Sequence, residues 1–136
     1  MNSSDCYCLK MKKASNNLTN FYDHKLAASG VTLGQYFTLL NVATCKRGTI
    51  KELADMAGLD RSTLARNIKV LIKQGLVIDA KEDGCRDSKI VLSETGRQTY
   101  HQAKKLWEQA QLDIQAYLGE DDEKLNQLVK KLSEIK

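Results

Sequence analysis

The 136-residue chain contains no proline, so no helix has to break or kink at one and no proline-rich linker divides it. It also lacks any run of 18 apolar residues, and its opening MNSSDCYCLKMKK has no apolar stretch of signal-peptide length. Membrane insertion and export are therefore not expected, and the cytoplasm is the expected compartment. Histidine occurs only at His24 and His101, and the four cysteines fall as a CxC pair, Cys6 and Cys8, with isolated Cys45 and Cys85. That spacing suits neither a structural zinc site nor, in a reducing compartment, a disulfide framework, so no metal and no cofactor is expected. No Ser-His-Asp, paired-carboxylate or phosphate-loop pattern is present, which leaves no catalytic residue to assign and no enzyme to expect.

The most informative absence is local. Between Arg61 and Val77 there is no Asp or Glu, yet Arg61, Arg66, Lys69 and Lys73 all fall there. The formal net charge of +4 is modest and says little by itself, but residues 46–92 carry ten cations against seven anions, and the rest of the chain is nearly balanced. The surface that this stretch faces is expected to be negative.

With proline absent, glycine and capping residues punctuate the chain. From Asp5 to about Ala28, Met11, Ala14, Leu18, Phe21, Tyr22 and Leu26 recur at helical spacing, and Gly30 follows. Thr32 with Gln35 reads as a capping box opening a second, mostly apolar helix carrying Tyr36, Phe37, Leu39, Leu40, Val42 and Ala43. Thr49 with Glu52 repeats the pattern for a short third helix, with Leu53, Ala54 and Ala57 facing inward. Gly58 breaks that helix, and Asp60 is placed to cap a fourth from Arg61 to Gln74, seated by Leu64, Ile68, Leu71 and Ile72.

Leu76-Val77-Ile78 and Lys89-Ile90-Val91-Leu92 read as two short strands around the polar tip KEDGCRDS. Ser93 to Leu118 returns to helical spacing, and a last helix begins near Asp121 with Leu125, Leu128, Val129, Leu132 and Ile135 in phase. The chain should thus be mainly α with a small β-hairpin: a single domain over residues 1–136, with a lobe at 32–92 between helical ends at 1–31 and 93–136.

Two helices joined by a tight turn and followed by a hairpin form the outline of a winged helix-turn-helix. On the fourth helix Arg61, Ser62, Thr63, Arg66, Asn67 and Lys69 are left for outward or flanking positions. Arg pairs with guanine edges, Asn reads adenine, and hydroxyls near a helix N-terminus hold phosphate. The wing adds Lys81, Arg86 and Lys89 for the backbone or minor groove. A solvated basic helix is the plainer reading of such a stretch, and the coincidence of helix pair, acid-free face and hairpin favours double-stranded DNA as partner.

The residues quoted so far also resemble the MarR family of transcriptional regulators, over nearly the whole chain. The resemblance is carried by "LADMAGLDRSTLARNIKVLIKQGLV" for the helix-turn-helix, "VTLGQYFTLL" for the second helix and "IVLSETG" for the second strand and the turn beyond it. It implies a homodimer in which the first and last two helices of each copy intertwine and two winged lobes sit on a roughly palindromic operator. It also implies repression relieved by a small-molecule effector or by oxidation. The family's wing usually carries Asp-x-Arg before its second strand; here Gly84-Cys85-Arg86 stands there, with Asp83 one residue early. Arg86 keeps the implied minor-groove role.

Cys6-Tyr7-Cys8 opens the first helix, where the helix terminus and Lys10, Lys12 and Lys13 favour a thiolate. Residues 8–22 resemble the organic-hydroperoxide-sensing (OhrR-type) branch: Cys8 falls on its reactive cysteine, and Ala14, Ser15, Thr19 and Tyr22 match around it. The resemblance implies that Tyr22 bonds the cysteine and that a peroxide is the effector. Lys12 stands where that branch has a second tyrosine, and no cysteine follows Cys85, so a resolving thiol near the C-terminus is absent and Cys6 resolves only if the CxC geometry or the partner subunit allows. Two readings of Cys6 and Cys8 stand side by side: a redox sensor, or small buried residues at a dimer seam. Tyr36, Phe37, Trp107 and Tyr117 likewise read either as a ligand crevice or as aromatic core, the commoner case. Two other function classes remain open: a thiol-based redox protein using CYC, and a winged-helix adaptor that binds protein alone.

Overall fold

The computed structural model describes residues 1–136. It contains six α-helices and one hairpin in the order α1 (Tyr7–Leu26), α2 (Leu33–Thr44), α3 (Ile50–Ala57), α4 (Arg61–Lys73), β1 (Val77–Asp79), β2 (Ile90–Leu92), α5 (Glu94–Leu118) and α6 (Asp121–Ser133). Short 3-10 turns at Ser3–Asp5 and Ala27–Ser29 flank α1. The first helix therefore starts two residues later than the apolar spacing suggests, with Cys6 in extended geometry at its N-cap. No helix is long and apolar enough to cross a membrane.

The centre of the molecule is α2, whose start is tied down three ways. Thr32 Oγ1 accepts from Gln35 N at 3.2 Å, Gln35 Oε1 accepts from Thr32 N at 3.0 Å, and Asp23 of α1 accepts from Leu33 N at 2.8 Å. These bonds satisfy N–H groups that a helix start leaves without internal partners. Along α2, Tyr36, Leu39 and Val42 are buried against Leu53 of α3, Leu64, Ile68 and Leu71 of α4, and Val77 and Ile90 of the hairpin. Each fully buried Leu or Ile in that group contributes on the order of 2 kcal/mol. The core reaches beyond residues 32–92, because Leu26, Tyr100 and Ala103 from the flanking helices complete it.

Tyr36 is 1% exposed and stacks on Tyr100 at a centroid distance of 5.9 Å, with Trp107 against its other side at 5.8 Å. Burial, followed by the nearby Tyr100 and Glu108, pushes the Tyr36 phenol up to about 12. The aromatic pair Tyr36 and Trp107 is thus a packing device between α2 and α5. Tyr117, by contrast, is 89% exposed.

The hairpin pairs Val77 with Leu92, Ile78 with Val91 and Asp79 with Ile90. Leu76 and Lys89 lie outside the ladder: β1 runs one residue later than Leu76–Ile78, and β2 is one residue shorter than Lys89–Leu92. A third segment runs alongside: Gly48 O accepts from Ile90 N at 2.8 Å. Gly48 has φ +74, and a Cβ there would lie 2.6 Å from the Ile90 carbonyl oxygen, so only glycine fits.

At the opposite end of β2, Ser93 caps α5 by accepting from Gly96 N at 2.9 Å, and Gly96 lies flat against Leu76. A Cβ at Gly96 would overlap the Leu76 carbonyl oxygen, whereas one at Gly34, in the first turn of α2, would meet nothing within 4 Å. Gly96→Ala should therefore destabilise the fold by about 2–3 kcal/mol. Gly34→Ala should instead stabilise it by about 0.5 kcal/mol through lower unfolded-state entropy. Urea melts of the two variants check the opposite signs.

Candidate nucleic-acid interface

The turn between α3 and α4 is built by backbone geometry. Gly58 adopts φ +66, and Leu59 N reaches back to Ala54 O at 3.0 Å, which closes α3 and reverses the chain. Asp60 then caps α4: its Oδ1 accepts from Thr63 N and from the Ser62 hydroxyl, both at 2.7 Å. The Thr63 N–H, followed by the Ser62 hydroxyl, holds the Asp60 carboxyl down to about 2.

With its start fixed, α4 buries Leu64, Ile68 and Leu71. Ile72 does not join them; it is 43% exposed, because its position turns a further 100° away from the core line. Ala57 is likewise exposed at the end of α3, where the Gly58 turn lifts it off the core. Arg61, Ser62, Arg66, Asn67 and Lys69 are exposed and Thr63 is half-buried. Ser62, Arg66, Lys69 and Lys73 follow each other at spacings of four, three and four, a single exposed stripe along the helix with no acid on it. Arg66 Nη2 donates to the Thr63 hydroxyl at 3.4 Å.

Asn67 sits on a different flank. Together with Val70 of α4, Phe37, Thr38 and Asn41 of α2 and Met56 and Leu59 at the turn, it lines a cavity of about 580 Å³ between α2 and α4. Of the four aromatics singled out in the sequence only Phe37 reaches this cavity; Tyr36 and Trp107 pack behind it.

Two further carboxylates set loops of the lobe, one ahead of α3 and one in the wing. The spacing of Thr49 and Glu52 suggests a reciprocal capping box, but only half of it forms. Thr49 Oγ1 accepts from Glu52 N at 3.1 Å, while the Glu52 carboxylate turns back to accept from the N–H groups of Lys46, Arg47 and Gly48 at 3.0, 2.9 and 2.9 Å. Those three N–H groups, led by Arg47, hold its pKa below the usual carboxylate range. Asp79, at the end of β1, does the same for the wing. Its Oδ1 accepts from Lys81 N at 3.1 Å and Lys89 N at 2.9 Å, pinning both ends of the loop that carries Lys81, Arg86 and Lys89. All three wing cations are exposed, and none is in an ion pair. Asp79 escaped the sequence reading, although an acid directly after an apolar run and before a turn is the signal for such a clamp.

The CYC segment lies far from this surface. Cys6 and Cys8 are exposed and unpaired at the start of α1. Tyr22 is half-buried at the other end of that helix, and its hydroxyl donates to Gln111 Oε1 of α5. Fourteen residues at 1.5 Å each put about 20 Å between Cys8 and Tyr22 within one chain, so they do not meet there.

Residues 29–84 match the MarR family. Among solved structures, the chain is similar to the M. tuberculosis transcriptional regulator MosR in complex with DNA. The identity is 31% over 94% of this chain and 93% of MosR, with a TM-score of 0.79. It is also similar to the transcriptional repressor CouR bound to a 23-mer DNA duplex, at 22% identity over 96% of this chain and 94% of CouR, with a TM-score of 0.81. The S. aureus MepR–DNA complex matches at 18% identity over 96% and 98% of the two chains, with a TM-score of 0.81. At these identities CouR and MepR speak for the fold alone. No curated protein matches the chain.

The capping carboxylate has a pH signature. Because the folded pKa of Asp60 is depressed to about 2 from 3.8, its contribution to stability is present above pH 4 and is lost as pH falls toward 2. Glu52, Asp79 and Asp113 shift in the same direction and add to the acid limb. Asp60→Asn, which keeps a capping oxygen without the titrating charge, should flatten the fall in stability between pH 4 and 2 relative to wild type. Thermal melts across that range measure it, and curves of equal slope would refute the role of Asp60.

Proposed function

The chain belongs to the MarR family of winged helix-turn-helix transcriptional regulators, and from that premise we propose that it acts as a homodimeric repressor whose α4 enters the major groove of a roughly palindromic operator. The observation that carries this reading is the exposed, acid-free stripe of α4. Arg66 and Lys69 stand at its centre, Arg61, Ser62 and Thr63 at its N-terminal end, and Asn67 on its flank. Arg66 is suited to a guanine edge, and the hydroxyls of Ser62 and Thr63 to a phosphate oxygen. Lys81, Arg86 and Lys89 would lie on the adjoining minor groove and backbone.

Dimerisation is supported by the helical ends. No residue of α6 is buried, and Leu125, Leu128, Val129 and Leu132 stand open on it, with Ile135 just beyond its end. They face Tyr7 and Met11 of α1 across an apolar groove of about 500 Å³. A second copy is the natural cover for a surface of this kind and would space two α4 helices along one face of a duplex.

Release would follow from a ligand in the cavity between α2 and α4, since an occupant there touches Asn67 and Val70 and biases the seat of α4. The exposed Cys8 thiol favours a second route. Its thiolate would attack the terminal oxygen of a hydroperoxide, cleave the O–O bond and release the alcohol, leaving a sulfenic acid that Cys6 or the second copy resolves. Contact between Cys8 and Tyr22 would then need the second copy.

Arg66→Ala combined with Arg86→Ala should lower operator affinity by about 100-fold while the sedimentation coefficient stays that of a dimer. Wild-type binding should fall steeply with salt, with a shallower log–log slope in the double variant. Gel-shift titration against the operator recovered by genome-wide capture tests both, and unchanged affinity would remove the assigned roles. Under organic hydroperoxide, Cys8→Ser should stay bound where wild type dissociates; equal responses would rule out sensing at Cys8.

A further inference from the structure

A second concavity lies on the flank of the lobe, where the end of α2, the Lys46–Gly48 segment, strand β2 and the first turns of α5 meet. It encloses about 480 Å³. Lys46, Arg47, Lys89, Arg97 and His101 all contribute to its wall, and no Asp or Glu does. None of these five groups is in an ion pair. Two carboxylates bond the backbone of wall residues and are engaged there: Glu52 has both oxygens taken up by the N–H groups of Lys46, Arg47 and Gly48, and Asp79 accepts from the N–H groups of Lys81 and Lys89. The floor is apolar, with Val42, Ile90 and Tyr100 at its base.

We propose that this cleft is a binding site for a small organic anion, one that pairs a phosphate or carboxylate group with a flat apolar body. The uncompensated charges of Lys46, Arg47, Lys89 and Arg97 on one concave wall repel each other, and an anion lowers that cost more than water does. The apolar floor supplies area for a ring or short chain, and the arginines supply forked donors for anionic oxygens. The cleft is distinct from the cavity between α2 and α4. It also extends away from the wing tip: from Lys89 to Leu92 the strand runs about 10 Å before Arg97 and His101 of α5 close the far end. Concavity and an apolar floor suit a small ligand better than a duplex backbone, whose phosphates stand on a ridge.

Phenyl phosphate is the probe. Titration calorimetry on the full chain at low ionic strength should show saturable binding with one site per chain, weaker binding of inorganic phosphate, and none of phenol. Arg97→Gln and Arg47→Gln should each weaken phenyl phosphate about tenfold, and Arg97→Lys should lose less than Arg97→Gln. The half-buried Cys45 lies in the wall of the cleft, so phenyl phosphate should also slow its alkylation in the wild-type protein, read by mass spectrometry. That readout needs no variant to fold. Absence of saturation, undiminished binding in both Gln variants, or unprotected Cys45 would overturn the proposal. So would a wild-type protein that ignores phenyl phosphate while Arg97→Gln weakens binding to any duplex, a result that assigns the cleft to the DNA backbone.

Discussion

Carboxylates that gather backbone N–H groups hold the basic lobe in shape. Asp60 closes the start of α4, Glu52 collects three successive N–H groups ahead of α3, and Asp79 joins the two ends of the wing loop. A bend in the chain exposes donors that no helix or strand satisfies, and an anion is the strongest acceptor available to them. In a lobe so rich in Lys and Arg, acids placed on the outer surface would cancel the field of the cationic face. Here three of the lobe's acids, Glu52, Asp60 and Asp79, are committed to backbone N–H groups, and none of the others lies on α4, so the loops are fixed and the stripe of α4 carries no acid.

The seat of α4 depends on that arrangement and on apolar packing together. Leu64, Ile68 and Leu71 set the rotation of the helix, the Asp60 cap sets where it begins, and α2 provides the surface beneath it. Because α2 also meets α5 through Tyr36, Tyr100 and Trp107, the basic face and the long C-terminal helices form one mechanical unit. Tyr22 with Gln111 and Lys25 with Asp113, at 3.3 Å, tie α1 into the same unit.

Much of this was legible in the residues. The caps at Thr32, Thr49 and Asp60 obey local rules, because a hydroxyl or carboxylate three residues ahead of a free N–H needs nothing else to act. The family was legible through the text around α4. What escaped has a common cause: it depends on contacts beyond one turn of helix. Glu52 carries the capping-box spacing, yet three donors from the preceding loop outcompete Thr49 N for its carboxylate. Ile72 looks like core by composition and is turned outward by the phase that Leu64, Ile68 and Leu71 impose. The cationic cleft draws on α2, β2 and α5 at once, and no window of sequence brings Cys45, Lys89 and Arg97 together.

The neck made by Asp79 has an evolutionary consequence. One side-chain oxygen fastens the chain at Lys81 and again at Lys89, and the ladder ends just behind it, so the segment between is anchored at its base and passes no strain to the sheet. Insertions, deletions or wholesale replacement of that tip would leave the folding of the lobe untouched. The sequence of that tip can therefore diverge between gene duplicates faster than the scaffold that presents it.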